Sequence, residues 1–211
     1  MKLYYNPLST YSQKVLIAFY EKGLTFEPFV IDPRDKSARQ SYQKIYPLGK
    51  IPLLITEQNR PVPESSIIIE FLDMNYMTGA TLLPRDGEMS RQARLKDRMY
   101  DLYLNNPVVE LLFESQKPRD RQDPCRMIKA RETLDIMYEQ LNENLCDHSW
   151  ANGEEFSIAD CAAAPALFYG QRVHPFSKYP AIKAYFSRLL GRPSLQKVLG
   201  EAEPLVKSFL K

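Results

Sequence analysis

The chain has 211 residues, 44% hydrophobic and 26% charged, which excludes wholesale disorder and allows one domain or two small ones. Its 28 basic and 26 acidic side chains leave a formal charge of +2, with 9 and 8 of them in residues 1–77, so neither half is a basic module and no nucleic-acid partner is expected. Cys125, Cys146 and Cys161 lack metal or disulfide spacing, the only histidines are His148 and His174, and no signal-like start or membrane-length apolar run occurs; a metal-free, cytoplasmic protein is expected.

The first 77 residues alternate strand and helix patterns. Lys2–Tyr5 is a β-rich run ended by Asn6-Pro7. Ser12–Lys22 predicts a helix that buries Val15, Leu16, Ala18 and Phe19 and stops at Gly23. Phe26–Ile31 is a strand that Pro28 confines to a sheet edge. Ser37–Ile45 is a weak helix. Pro52–Thr56 and Arg60–Val62 form a hairpin through Gln58-Asn59, and Ser66–Met77 is an amphipathic helix. The order βαβαββα describes a small α/β domain, residues 1–77. A Gly- and Pro-bearing loop, 78–88, reads as the linker. Residues 89–211 contain only helical patterns: Met89–Gln116, Arg126–Leu145, Ser157–Gly170, Pro180–Leu190 and Leu195–Ala202. Pro107 and Pro165 fall inside these helices and are expected to kink or break them.

Three segments of the first domain carry chemistry. Pro7–Val15 joins a strand end to a helix start and crowds hydroxyls at the turn: Ser9, Thr10, Tyr11 and Ser12. A helix N-terminus offers free amides and positive dipole to an anion, and a hydroxyl there can donate to a thiolate; ordinary capping explains the same residues. Pro47–Leu54 brings Pro52 to the start of a strand. With Ile51–Pro52 cis, the Ile51 backbone turns outward and can pair with an extended peptide; a trans proline opening an edge strand is the plain alternative. Pro63–Glu70 sets Glu64 and Ser65 before a helix, where an acid takes an ammonium and a hydroxyl with amides takes a carboxylate; a cap beside a solvated acid is again the alternative.

The order and spacing of these segments resemble the thioredoxin-like domain of cytosolic glutathione transferases. Phe156-Ser157-Ile158-Ala159-Asp160 looks like that family's N-capping box in the central helix of its second domain, with Ser157 and Asp160 capping each other. Tyr185–Ser194 is similar to bacterial members, and the likeness spans nearly the whole chain. The resemblance implies an α+β two-domain protein, thioredoxin-like first and all-α second, binding glutathione as co-substrate. It further implies a serine-type bacterial member in which Ser9 donates its hydroxyl to the glutathione sulfur. A free thiol of pKa about 8.5 is a few per cent ionised at neutral pH. A hydrogen bond to a charged group, about 1.5–3 kcal/mol, lowers that pKa by about 1–2 units. Thr10, Ser12 and Tyr5 are the other candidate donors. By the same carry-over Lys50 contacts the glycine end, Ile51 pairs through its backbone with the cysteinyl part across a cis Ile51–Pro52 bond, and Glu64 with Ser65 holds the γ-glutamyl group. Tyr11 lines the glutathione cleft, and Lys36 or Arg39 reaches the glycyl carboxylate. The first loop has no cysteine, so mixed-disulfide chemistry is not expected.

The second substrate, a small hydrophobic electrophile, is expected between the domains, against Leu8 and Tyr11 on one side and Met99, Tyr100, Tyr103 and Leu104 on the other; bundle core or subunit interface explains that aromatic cluster equally. Asp160 reads as a capping acid, and His174 falls in a turn. The leading function is a glutathione transferase. Reduction of organic hydroperoxides, a non-catalytic adaptor and storage of hydrophobic ligands are the alternatives. The resemblance also implies a homodimer without membrane association.

Overall fold

The computed structural model describes residues 1–209. They form two compact units: Met1–Leu82 together with the stretch from Gln196, and Leu83–Leu195.

The first unit is a mixed sheet with helices, in the expected order βαβαββα: β1 (Lys2–Tyr5), α1 (Thr10–Glu21), β2 (Glu27–Val30), α2 (Lys36–Gln43), β3 (Leu53–Ile55), β4 (Pro61–Pro63) and α3 (Ser65–Asn75). Its strand order is β2-β1-β3-β4. β1 runs parallel to β2 and antiparallel to β3, and β3 is antiparallel to β4. All three strand prolines, Pro28, Pro61 and Pro63, lie in the two edge strands, where a missing N–H breaks no inner ladder. Alternation along β1 sends Leu3 and Tyr5 to one face, where Tyr5 meets Phe26, itself packed on Phe19 of α1. Tyr4 goes to the other face and stacks on Phe29 and on Tyr42 of α2. Helix α1 ends in a Schellman turn. Gly23, at φ 62, donates to the Tyr20 carbonyl, and Leu24 N–H donates to that of Phe19.

The expected linker begins as part of this unit. Thr78 Oγ1 donates to the Lys22 carbonyl, Ala80 N–H to that of Glu21, and Leu82 N–H to Asp73 Oδ1. These bonds anchor the chain as far as Leu82, and a helix does not resume until Gly87.

The second unit is all-α: α4 (Gly87–Met99), α5 (Asn106–Gln116), α6 (Pro124–Cys146), α7 (Ile158–Val173) and α8 (Pro180–Leu190). The single helix expected over Met89–Gln116 is interrupted by a π-helical segment, Tyr100–Asn105, in which Asn106 N–H reaches the Asp101 carbonyl. Pro107 explains the interruption: its ring crowds the carbonyl four residues back, and a widened turn just before it removes the clash. Pro165 has no such effect, and α7 runs through it unbroken. Helix α7 is buried on nearly every side, as its run of alanines permits. The space beside Gly170 is so tight that a Cβ there would lie 2.9 Å from the Tyr138 hydroxyl.

The start of α7 is fixed by Asp160, which is fully buried. Its Oδ2 accepts from Ser157 N–H (2.8 Å) and Ser157 Oγ (3.0 Å), and its Oδ1 from Ala151 N–H (2.8 Å) and Tyr185 OH (2.7 Å). Burial pushes this carboxyl above its ordinary pKa, and the four donors oppose that shift. His174 is the C-cap of α7, with its ring against Asp135 at 3.1 Å and stacked on Tyr138.

The last helix, α9 (Pro193–Phe209), starts in the helical unit and continues into the first one. Tyr20 OH donates to Glu201 Oε1 at 2.6 Å, and Lys197 Nζ lies 4.0 Å from the Tyr20 ring centre. The expected helical domain over 89–211 differs at its final stretch, which from Gln196 groups with the first unit, where Glu201 accepts from Tyr20 of α1. The end of that expected range lies outside the described residues. Among the described residues no helix is long and apolar enough to cross a membrane.

Candidate functional site

The sheet register brings the three segments singled out in the sequence to one end of the sheet. Tyr4 of β1 pairs with Leu53 of β3, and Leu53 pairs with Pro63 of β4. The loop that leaves β1 (Asn6–Ser9), the loop that enters β3 (Gly49–Pro52) and the turn that leaves β4 (Glu64-Ser65) consequently share the same end of the sheet. Helices α1 and α3 both start there, so two sets of free N-terminal amides serve one place.

The first loop is held from both sides. Asn6 Nδ2 donates to the Ile31 carbonyl at 2.8 Å, and its Oδ1 accepts from Leu8 N–H at 2.8 Å. Gln13 Nε2 donates to the Pro7 carbonyl at 2.7 Å. Ser9 is the N-cap of α1, its Oγ accepting from Ser12 N–H at 3.3 Å. A hydroxyl that accepts still has its own proton to donate, so capping aims Ser9 without using up its donor. The other candidates are placed differently. Thr10 and Ser12 are buried, and Ser12 Oγ accepts from Asn6 N–H. Tyr5 is buried against Phe26, where burial and the Glu201 carboxylate push its hydroxyl pKa up. Ser9 stays half-buried, as do Leu8 and Tyr11.

In the second loop the Ile51–Pro52 bond is cis. Tyr42 OH donates to the Lys50 carbonyl at 2.6 Å, and Gly49, at φ 61, donates to the Tyr46 carbonyl. The Lys50 side chain is exposed. In the third segment Glu64 is exposed and Ser65 buried. Glu64 adopts φ 70 and ψ 124, a conformation that side chains rarely take and that costs about 1–3 kcal/mol. It stands at the N-cap of α3 without capping it.

Sequence reasoning missed Asn6, Gln13 and Tyr42, which position backbone rather than touch a ligand; only the Asn6-Pro7 turn signal pointed to one of them. The wall expected from the helical unit divides. Tyr103 is 49% exposed, whereas Tyr100 is 4% exposed and packed near Asp160, whose charge helps burial push its hydroxyl pKa up. The expected substrate contact Tyr100 thus lies in the core of the helical unit. Among the described residues no group of His, Cys, Asp and Glu could hold a metal ion.

Residues 3–79 match the glutathione S-transferase N-terminal domain, and residues 104–193 match the glutathione S-transferase C-terminal domain. The chain belongs to the glutathione S-transferase family. Glutathione S-transferase hmp2 of Hypomyces subiculosus is 26% identical, over 96% of this chain and 99% of the relative. A stringent starvation protein A homolog of Pasteurella multocida is 28% identical, over 97% of this chain and 92% of its own. Among solved structures, a glutathione S-transferase from Methylobacillus flagellatus KT with GSH bound has a TM-score of 0.84 at 25% identity, covering 93% of this chain and 98% of that one. Glutathione transferase F2 from Populus trichocarpa shares the fold, with a TM-score of 0.85 at 22% identity over 96% and 99% of the chains. Relatives from a fungus, bacteria and a plant place the chain in the family as a whole.

Proposed function

We propose that this protein is a serine-type glutathione transferase: it binds glutathione at the common end of β1, β3 and β4, stabilises the thiolate and directs it at a small hydrophobic electrophile. The observation that carries the reading is the half-buried Ser9 hydroxyl at the start of α1, aimed by its cap and with its proton free to donate. On this reading glutathione lies as a short extended strand. The Ile51 backbone pairs with its cysteinyl part, and Lys50 meets its glycyl carboxylate. Glu64 takes the γ-glutamyl ammonium, and Ser65 with the α3 amides takes the γ-glutamyl carboxylate. Tyr11 flanks the tripeptide. Ser9 donates to the sulfur, so the proton lost on binding leaves a nucleophile that the protein activates but does not own. The apolar side chain of Leu8, beside Ser9, is surface for the electrophile.

A second copy of the chain is the proposed partner. Ile67 and Met74 stand exposed seven residues apart on α3, as do Leu95 and Leu102 along α4 and the π segment that follows it; these faces suit a homodimer. The adaptor alternative rests on the fold being shared by relatives not named as transferases, such as a stringent starvation protein A homolog.

Calorimetry in buffers of different ionisation enthalpy, with glutathione and with S-methylglutathione, tests the reading. Glutathione binding that releases a proton at neutral pH, with no release for the S-methyl compound, is the expected result. Absence of binding overturns the enzyme reading in favour of an adaptor. Binding without proton release overturns thiolate stabilisation.

A further inference from the structure

Two lysines are buried along the contact between α1 and α3. Lys14, 1% exposed, donates from Nζ to Ser66 Oγ at 2.9 Å. Lys22, 2% exposed, pairs with Asp73 Oδ1 at 2.9 Å and donates to the Ala80 carbonyl at 3.1 Å. They lie eight residues apart, Lys14 on α1 and Lys22 at its C-cap, about 12 Å of helix, and their partners lie seven apart on α3, about 10.5 Å. The two helices therefore run side by side in the same direction, tied at both ends. Buried lysines are rare because removing an ammonium from water costs several kcal/mol, so each has to be matched by what it holds.

The ties are not equivalent. Lys22 and Asp73 close the end away from the catalytic edge, where the chain turns through Thr78–Leu82. Lys14 and Ser66 close the end at that edge. Lys14 is five residues after Ser9. Ser66 directly follows Ser65 and is the second residue of α3, among the amides whose N–H groups have no intrahelical acceptor. From the Lys14–Ser66 bond we infer that Lys14 is a positioning residue for glutathione. It ties the start of α1, which aims Ser9, to the first turn of α3, which receives the γ-glutamyl carboxylate. The inference rests on the proposed glutathione site and adds a residue of α1 that touches neither the sulfur nor the carboxylate.

The two ties supply the test. Lys14→Met, Lys14→Arg, Lys22→Met and Ser66→Ala are compared with the wild type for glutathione affinity by calorimetry, for bound-thiol pKa by ultraviolet titration, and for thermal midpoint. Both Lys→Met variants are expected to melt earlier. Only Lys14→Met is expected to bind glutathione about tenfold more weakly and to raise the bound-thiol pKa by about half to one unit, with Lys14→Arg recovering most of both. Ser66→Ala, which keeps the lysine, is expected to weaken binding about threefold and carries the test if Lys14→Met does not fold. Equal losses of affinity in Lys14→Met and Lys22→Met, or wild-type affinity and pKa in Lys14→Met or Ser66→Ala, overturn the inference and leave the glutathione site standing. A wild type that does not bind glutathione overturns both.

Discussion

Ser9 has an observed role and a proposed one, and substitution can separate them. As the N-cap of α1 it accepts a single long bond, from Ser12 N–H at 3.3 Å. Ser9→Ala should therefore cost stability at the low end of the capping range, about 0.5–1 kcal/mol, and Ser9→Gly only a few tenths, roughly 0.3 kcal/mol, because glycine is a tolerable N-cap. As a donor to a thiolate, the same hydroxyl is worth about 1.5–3 kcal/mol, equal to about 1–2 pKa units on the bound thiol. Both variants lack the hydroxyl, so both should return the thiol toward about 8.5 and slow conjugation at neutral pH by at least about tenfold. Urea unfolding reads the first effect, and ultraviolet titration of the glutathione complex reads the second. The expected signature is a stability order of wild type, Gly, Ala with an equal pKa rise in the two variants. A bound-thiol pKa unchanged in both variants refutes the donor role. A pKa rise that follows the stability loss, large in Ala and absent in Gly, shows that the geometry of the helix start sets the pKa rather than the hydroxyl.

Asp160→Ala orphans four donors around a fully buried site and should destabilise the protein by at least about 3 kcal/mol, with Asp160→Asn failing to restore it because its amide would face donors; denaturant midpoints of the three proteins check this. The Glu114 carboxyl is held below its ordinary pKa by Lys117, Asp123 N–H and Arg126. Its contribution to stability is thus complete above the unfolded value of about 4.3 and is lost as pH falls through the lower folded value. A Glu114→Gln protein should show a shallower acid limb in a plot of thermal midpoint against pH, and superimposable limbs would count against the pairing. Glu64→Gly should relieve the strain at φ 70 and stabilise the protein by about 1 kcal/mol while weakening glutathione binding about tenfold; a variant that is both less stable and unimpaired in binding contradicts the assigned role.

Much of the first unit was legible because its signals are local. Gly23 marks a helix end that only a left-handed residue completes, and Pro28 marks β2 as an edge. The Ser157–Asp160 pair was legible for the same reason: capping reaches only three residues. What escaped depends on partners distant in sequence. Tyr42 sits in a helix with a strongly polar face, and nothing local says that its hydroxyl will hold the Lys50 carbonyl. Tyr100 and Tyr103 look alike in the sequence, but the π turn before Pro107 alters the helical phase, burying one and exposing the other. The two buried lysines look like solvated charges until α3 is laid beside α1.

The first unit is assembled from both ends of the chain. Tyr20, near the start, finds its acceptor in Glu201 and its cation in Lys197, nearly two hundred residues later. During synthesis the sheet and its helices leave the ribosome first, but the surface around Tyr20 stays uncovered until the closing helix emerges. The helical unit, by contrast, is continuous in sequence and is ready to close before that last segment arrives. Completion of the first unit thus waits on α9: a transcript cut short after residue 195 would leave the sheet domain unfinished.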